Sequence, residues 1–146
     1  MITKKGYAGL VTQSGADIRT VKVDSNLNIG QPCKMGDNNE AKPFTTGDTA
    51  DKFLGIYVAG HLNAPEILNG GVRSILVKGH VLVKIDKTDV ATNPIKRNGP
   101  VFFDGAKNVF TANATKIAVP ARFAIEGTAD ELAEIEVLPF APVKLA

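Results

Sequence analysis

The chain has 146 residues, of which 44% are hydrophobic and 22% are charged, and these are the proportions of one globular domain with one core. Lys and Arg total 17 against 15 acidic residues, so the net charge of +2 produces no long-range field that would recruit nucleic acid or an anionic membrane. The sequence also lacks the roughly 18 consecutive apolar residues of a membrane span and the apolar run of a secretory signal. We therefore expect a protein made and kept in a cytosol, or in a particle assembled there.

The first 17 residues are glycine-rich and have no clean hydrophobic period. A segment of this kind is disordered unless a partner orders it. We therefore expect an extended amino-terminal arm over residues 1–17 and a β-domain over residues 18–146, with no linker to a second domain.

Strand-like segments recur at short intervals along the rest of the chain, and each is closed by Gly, Asn, Asp or Pro. They are Ile18 to Val23, Pro32 to Met35, Phe53 to Ala59, Arg73 to Ile85, Gly99 to Phe103, Asn108 to Ala112, Pro120 to Glu126 and Glu134 to Leu138. The clearest hairpin is predicted over 101–111, where two β-rich arms flank a loop containing Asp104-Gly105. Helical signals are limited to single turns at 50–54 and 128–133, so the sequence predicts an all-β fold.

The longest alternating segment extends from Val72 to Asp86, and its odd positions from Ile75 to Ile85 are aliphatic except for Gly79. Because successive side chains in a strand point to opposite faces, this pattern predicts one buried face. The alternation keeps its phase through the glycine, which predicts a single strand that bends at Gly79 rather than a hairpin. We expect a bent central strand in a sharply curved antiparallel sheet.

Residues with catalytic or metal-binding chemistry are few and poorly spaced. The single cysteine, Cys33, alternates with its neighbours like a structural strand residue, and His61 and His80 have no second ligand at zinc-site spacing. The run from Asp37 to Glu40 offers oxygen ligands but does not match a calcium loop. The sequence has no Gly-x-Ser-x-Gly elbow and no phosphate-binding loop. We predict no catalytic site, no metal and no cofactor.

The order of these features resembles that of the small β-domain cement proteins that decorate the capsids of tailed bacteriophages. The resemblance covers most of the chain, from the amino-terminal arm to the last strand. It rests on six segments, Ile29 to Met35, Phe53 to Val58, Val72 to Ile85, Arg97 to Gly105, Arg122 to Glu126 and Ala133 to Val137. The resemblance depends on the order and spacing of these segments and on the lack of catalytic residues.

The resemblance implies a single compact β-barrel or sandwich and a structural role on the outside of a virion assembled in the host cytoplasm. The implied partner is the major capsid protein, whose subunits the chain would bridge as a homotrimer at local threefold positions. The arm is the expected capsid contact, because it lacks periodicity and contains a Lys4-Lys5 pair beside apolar side chains. The candidate contact residues are Ile2, Lys4, Lys5, Tyr7, Leu10 and Val11.

Two other classes of function remain open at the level of sequence. A phage tail or head-completion protein also self-associates through sheet edges. A β-module that binds nucleic acid or a glycan would need exposed aromatic side chains, whereas the tyrosines are only Tyr7 and Tyr57 and most phenylalanines lie in strand patterns.

Overall fold

The computed structural model describes residues 9–10, 16–23, 29–36, 40–58, 72–127 and 131–138. They form the strands β1 Gly9–Leu10, β2 Asp17–Val23, β3 Pro32–Met35, β4 Glu40–Pro43, β5 Phe53–Tyr57, β6 Val72–Lys84, β7 Pro100–Asp104, β8 Val109–Thr111, β9 Ile117–Phe123 and β10 Leu132–Val137. Two 3-10 turns, Ala50–Lys52 and Lys87–Asp89, are the helical elements of these residues. None of the helices described has the length and hydropathy needed to cross a membrane. The prediction of an all-β fold is confirmed.

The strands form one strongly curled, almost entirely antiparallel sheet organised around β6. The amino-terminal half of β6 lies between β2 and β5, and its carboxyl-terminal half lies between β1 and β10. In the first half the pairings form a closed circuit, β2–β4–β3–β5–β6, in which only the β2–β4 contact is parallel. The second half continues through β10, β9, β7 and β8, and a bridge between Phe110 and Ile85 returns to the end of β6. The pairings therefore trace two circuits in one strongly curled sheet, and a single bridge completes the second.

The described residues form two apolar cores, and the larger one draws residues from both circuits, Ile56 and Leu76 among them. The smaller core contains Cys33, Ala41, Tyr57 and Ile75, with one residue from each of β3, β4, β5 and β6. The larger core includes four fully buried phenylalanines, and among them Phe103 lies 5.0 Å from Phe110 and 6.2 Å from Phe44 between ring centroids. Because Phe44 follows β4, this contact packs the first circuit against the second.

The apolar positions of β6 serve both cores, which corrects one prediction. Ile75 belongs to the smaller core, whereas Leu76 shares the larger core with Val81 and Val83. The odd positions from Ile75 to Ile85 are buried or half-buried as predicted, but they contribute to two cores rather than one, and Leu76 on the opposite face is buried as well. The strand is continuous through Gly79, where φ is +132°. The register between β2 and β6 shifts by one residue of β6, because Asp17 pairs with Lys78 whereas Ile18 pairs with Leu76. A shift of one residue exchanges the two faces of a strand.

The eight predicted strands are all present with ends displaced by a few residues, and the predicted hairpin is the β7–β8 pair. The sequence analysis missed β1 and β4. It also predicted a helical turn over 128–133, whereas Leu132 and Ala133 already belong to β10; residues 128–130 lie outside the described part of the chain. The turn predicted over 50–54 is present as Ala50–Lys52, after which β5 begins.

Replacing Gly79 by alanine should destabilise the domain for two reasons. A Cβ there would lie 3.2 Å from the Cα of Ala16 and 3.3 Å from Leu76 Cδ1, and the backbone has a φ that essentially only glycine adopts. Gly47→Ala is the matched control, because Gly47 also has a positive φ of +98° but has open space around it. We expect losses in the free energy of unfolding of roughly 2–4 kcal/mol for Gly79→Ala and about 1–2 kcal/mol for the control, measured by urea denaturation. Equal losses would show that the contact with Ala16 is not important.

Candidate functional site

The amino-terminal segment reaches the domain through a very short strand. Gly9 pairs with Leu82 and Leu10 pairs with Val81, so β1 contacts the edge of β6 over two residue pairs. Further along the chain, Ala16 packs against the larger core and lies directly over Gly79. The missing side chain of Gly79 therefore makes room for the backbone that leads into β2.

Most of the candidate contact residues lie outside the part of the chain that the structure describes, namely Ile2, Lys4, Lys5, Tyr7 and Val11. Leu10 is described, and its backbone belongs to β1. His61, the loop 62–71 and residues 37–39 also lie outside the described ranges. Glu40 lies in β4 with Oε1 3.7 Å from Lys42 Nζ.

A row of charged side chains crosses the outer face of β6, β10 and β9. His80 Nδ1 hydrogen-bonds Glu134 Oε2 at 2.7 Å, and His80 Nε2 lies 3.9 Å from Glu136 Oε2. On the next strand, Arg122 donates from Nε to Glu136 Oε1 at 2.8 Å. The row therefore links three neighbouring strands. Its side chains are between about a quarter and a half exposed, which leaves them accessible to a protein partner.

Cys33 is buried in the smaller core, where its thiol is shielded from solvent. Its thiol donates to the carbonyl of Gly55 at 3.3 Å, and the side chain has no exposed surface. Burial raises the pKa of Cys33 to about 12. The hydrogen bond to Gly55 lowers the pKa, but by less than burial raises it. Since the thiolate is the reactive form, the thiol is inert at neutral pH. Cys33 thus occupies the structural position that the sequence indicates.

An open cleft of about 470 Å³ lies between three loops. One wall is the β4–β5 connection from Thr46 to Ala50, the second is the β7–β8 turn from Asp104 to Ala106, and the third is the segment from Thr115 to Ala118. The first two walls touch, because a Cβ on Gly105 would collide with the backbone nitrogen of Thr46.

The two carboxylates that line the cleft both stabilise its walls. Asp48 accepts from Lys34 Nζ and from the backbone N–H of Thr45, each at 2.8 Å. Burial would raise the pKa of Asp48, but these hydrogen bonds outweigh it and lower the pKa below its usual value. Asp104 is buried and accepts from the backbone N–H groups of Ala106 and Lys107, which fixes the β7–β8 turn. The described residues contain no group of three His, Cys, Asp or Glu side chains suited to a metal ion.

Comparison with known proteins identifies a family and a similar solved structure. A family model described as structural cement protein (E217 gp24/Pam3 gp6) matches residues 2–138. A chain in a solved structure titled "The capsid of Myoviridae Phage XM1" has a similar fold, with a TM-score of 0.67 at 14% sequence identity over 94% of this chain and 91% of that chain. The search of curated proteins found no match.

The structural likeness supports the fold, and the family match supports the role. The match covers nearly the whole chain, including both circuits of the sheet. The family match favours a cement protein over a phage tail protein or a head-completion protein, which the sequence left open. The chain therefore belongs to the structural cement protein family, and it is a virion protein that stabilises a phage capsid.

Proposed function

We propose that the chain stabilises the capsid by binding its outer surface and bridging subunits of the major capsid protein, without catalysis. The observation that carries this proposal is the attachment of the amino-terminal segment, in which β1 contacts β6 over two residue pairs and eight residues precede it. Those residues can extend from the domain towards a second protein. The inert thiol of Cys33 and the structural use of Asp48 and Asp104 support a role that needs no chemistry.

Bridging requires reach and several weak contacts. Eight residues would span on the order of 26 Å if fully extended, at about 3.3 Å each. Ordering them costs roughly 1–2 kcal/mol of backbone entropy per residue. The apolar side chains of Ile2 and Tyr7 can offset that cost if they are buried against the coat protein, and Lys4 and Lys5 can pair with its carboxylates.

A symmetric assembly would multiply such contacts. We propose a homotrimer over local threefold positions, in which three identical sites raise the avidity about 10²- to 10⁴-fold over one site. Ile29, which precedes β3, and Met35, its last residue, are 48% and 42% exposed and offer apolar area for contacts between copies or with the coat protein.

Removing residues 2–8 should weaken attachment and leave the domain folded. The truncation keeps β1 and also Ala16, which packs against the larger core. We expect an unchanged far-UV circular dichroism spectrum and at least tenfold weaker binding to undecorated expanded heads, equivalent to about 1.4 kcal/mol. Sedimentation of heads with increasing protein would measure the binding.

Two controls make that experiment specific. A variant with residues 2–8 replaced by a Gly-Ser segment of equal length should bind as weakly as the truncation, because it keeps the length but not the side chains. Lys84→Ala, an exposed position on β6, should bind normally. Full attachment by the truncated protein would contradict the arm contact, and the loop 62–71 would be the next candidate.

The trimer predicts a defined stoichiometry on the particle. Cryo-electron microscopy of decorated heads should show three copies of the domain around each occupied local threefold axis. The free protein can still be monomeric in light scattering, because the capsid supplies part of the contact. Twofold pairs of domains on the head would contradict the proposal.

A further inference from the structure

Strand β9 is paired to different extents on its two edges. On one edge, β7 pairs with it from Ile117 to Arg122. On the other edge, β10 pairs only with Ala121 to Phe123, and the backbone N–H of Leu138 then donates to the carbonyl of Pro120 at 2.8 Å. Within the described ranges, the second edge of β9 therefore has no strand partner from Ile117 to Val119.

The unpaired edge leads directly into the cleft between the three loops. Ile117 and Ala118 are part of the cleft wall. Leu138 lies opposite Pro120, so the chain leaves the described structure two residue pairs before Ala118 and is directed towards the cleft. Eight residues follow it, Pro-Phe-Ala-Pro-Val-Lys-Leu-Ala.

We propose that the carboxyl-terminal tail, residues 139–146, continues β10 along this edge and that Phe140 occupies the cleft. The β9–β10 register places residue 139 opposite Val119, residue 140 opposite Ala118 and residue 141 opposite Ile117. The cleft and the edge together form the receptor for an extended segment, and the segment is the chain's own tail.

The positions of the two prolines in the tail fit this register. Backbone groups of an antiparallel edge strand face its neighbour at alternate residues, and Leu138 faces β9. Pro139 would therefore face away from β9, where its missing N–H costs nothing. Pro142 would be the next residue to face β9 after Phe140, and it has no N–H to donate. The pairing would then end at residue 141, opposite the first residue of β9.

Side-chain alternation brings Phe140 to the cleft. In β10 the residues Ala133, Ile135 and Val137 are buried, so the even positions point to the outer face. Phe140 would follow the even positions and lie beside Ala118, whose small exposed side chain lines the cleft. An aromatic ring there would bury apolar area against Ala50 and Ala106 as well.

The occupant is the tail of the same molecule rather than that of a second copy. No linker separates Leu138 from the free edge, so the effective concentration of the tail at the cleft is high. Pairing also covers an edge that would otherwise accept strands from other chains.

Disulfide trapping tests the register. Phe140→Cys combined with Ala118→Cys would place two Cα atoms about 5.5 Å apart across a hydrogen-bonded pair, within the range that disulfides span. Phe140→Cys with Lys87→Cys, an exposed residue of the second 3-10 turn, is the matched control. Cys33 need not be replaced in these variants, because its buried and protonated thiol does not compete in disulfide formation.

Mild oxidation of the full-length variants should give an intramolecular disulfide between positions 118 and 140 at least tenfold faster than in the control, read by non-reducing electrophoresis and peptide mass mapping. A disulfide between two molecules would overturn the proposal in favour of tail exchange between copies. No disulfide, or one formed at the control's rate, would overturn it altogether.

Thermal unfolding provides a second measurement. Deleting residues 139–146 should lower the melting temperature by at least about 3 °C, and Phe140→Ala should reproduce most of that loss while Lys144→Ala should not. Equal effects of the two single substitutions would contradict the anchoring role of Phe140. Neither experiment involves capsids, so failure here would leave the proposed bridging function intact.

Discussion

The fold depends on the pairing of β6 with a neighbour on each edge in both of its halves. This one strand hydrogen-bonds to β2 and β5, and then to β1 and β10, so neither circuit of the sheet can close without it. It also supplies both cores, through Ile75 in the smaller one and through Leu76 and Val81 in the larger one. A slip of one residue along β6 would move apolar side chains out of both cores at once, which fixes its register strongly.

The sequence predicted the fold class well because most strands bury one face and therefore alternate. Strand β4 was missed because only Ala41 of its four residues is buried, and Glu40, Lys42 and Pro43 give no apolar alternation. Strand β1 is too short to produce a period. The two-core role of β6 was unpredictable for a different reason, since a register shift against β2 depends on the partner strand and not on the local sequence.

The candidate site could be predicted only in part. The family resemblance indicated a capsid-binding role, but the charged row on the outer face joins His80 to Glu134, which are 54 positions apart, and only the strand register brings them together. The cleft likewise combines three loops from both circuits. A structural role in a virion depends on contact area, and contact area leaves no motif of spaced reactive residues in a sequence.

The exposed ion pairs add little to stability individually, since pairs of this kind contribute about 0–1 kcal/mol each. Stability instead comes from the two cores and from the closed hydrogen-bonding circuits, which leave few open edges.

The burial of Cys33 also bears on the life of the particle outside the cell. A virion is assembled in a reducing cytoplasm and is then released into an oxidising medium, where exposed thiols form disulfides. Since Cys33 is the chain's single cysteine and has no exposed surface, the protein carries no accessible thiol through that change. Copies of this chain on a head therefore form no disulfides with one another through Cys33, so an oxidising medium does not cross-link the shell by that route.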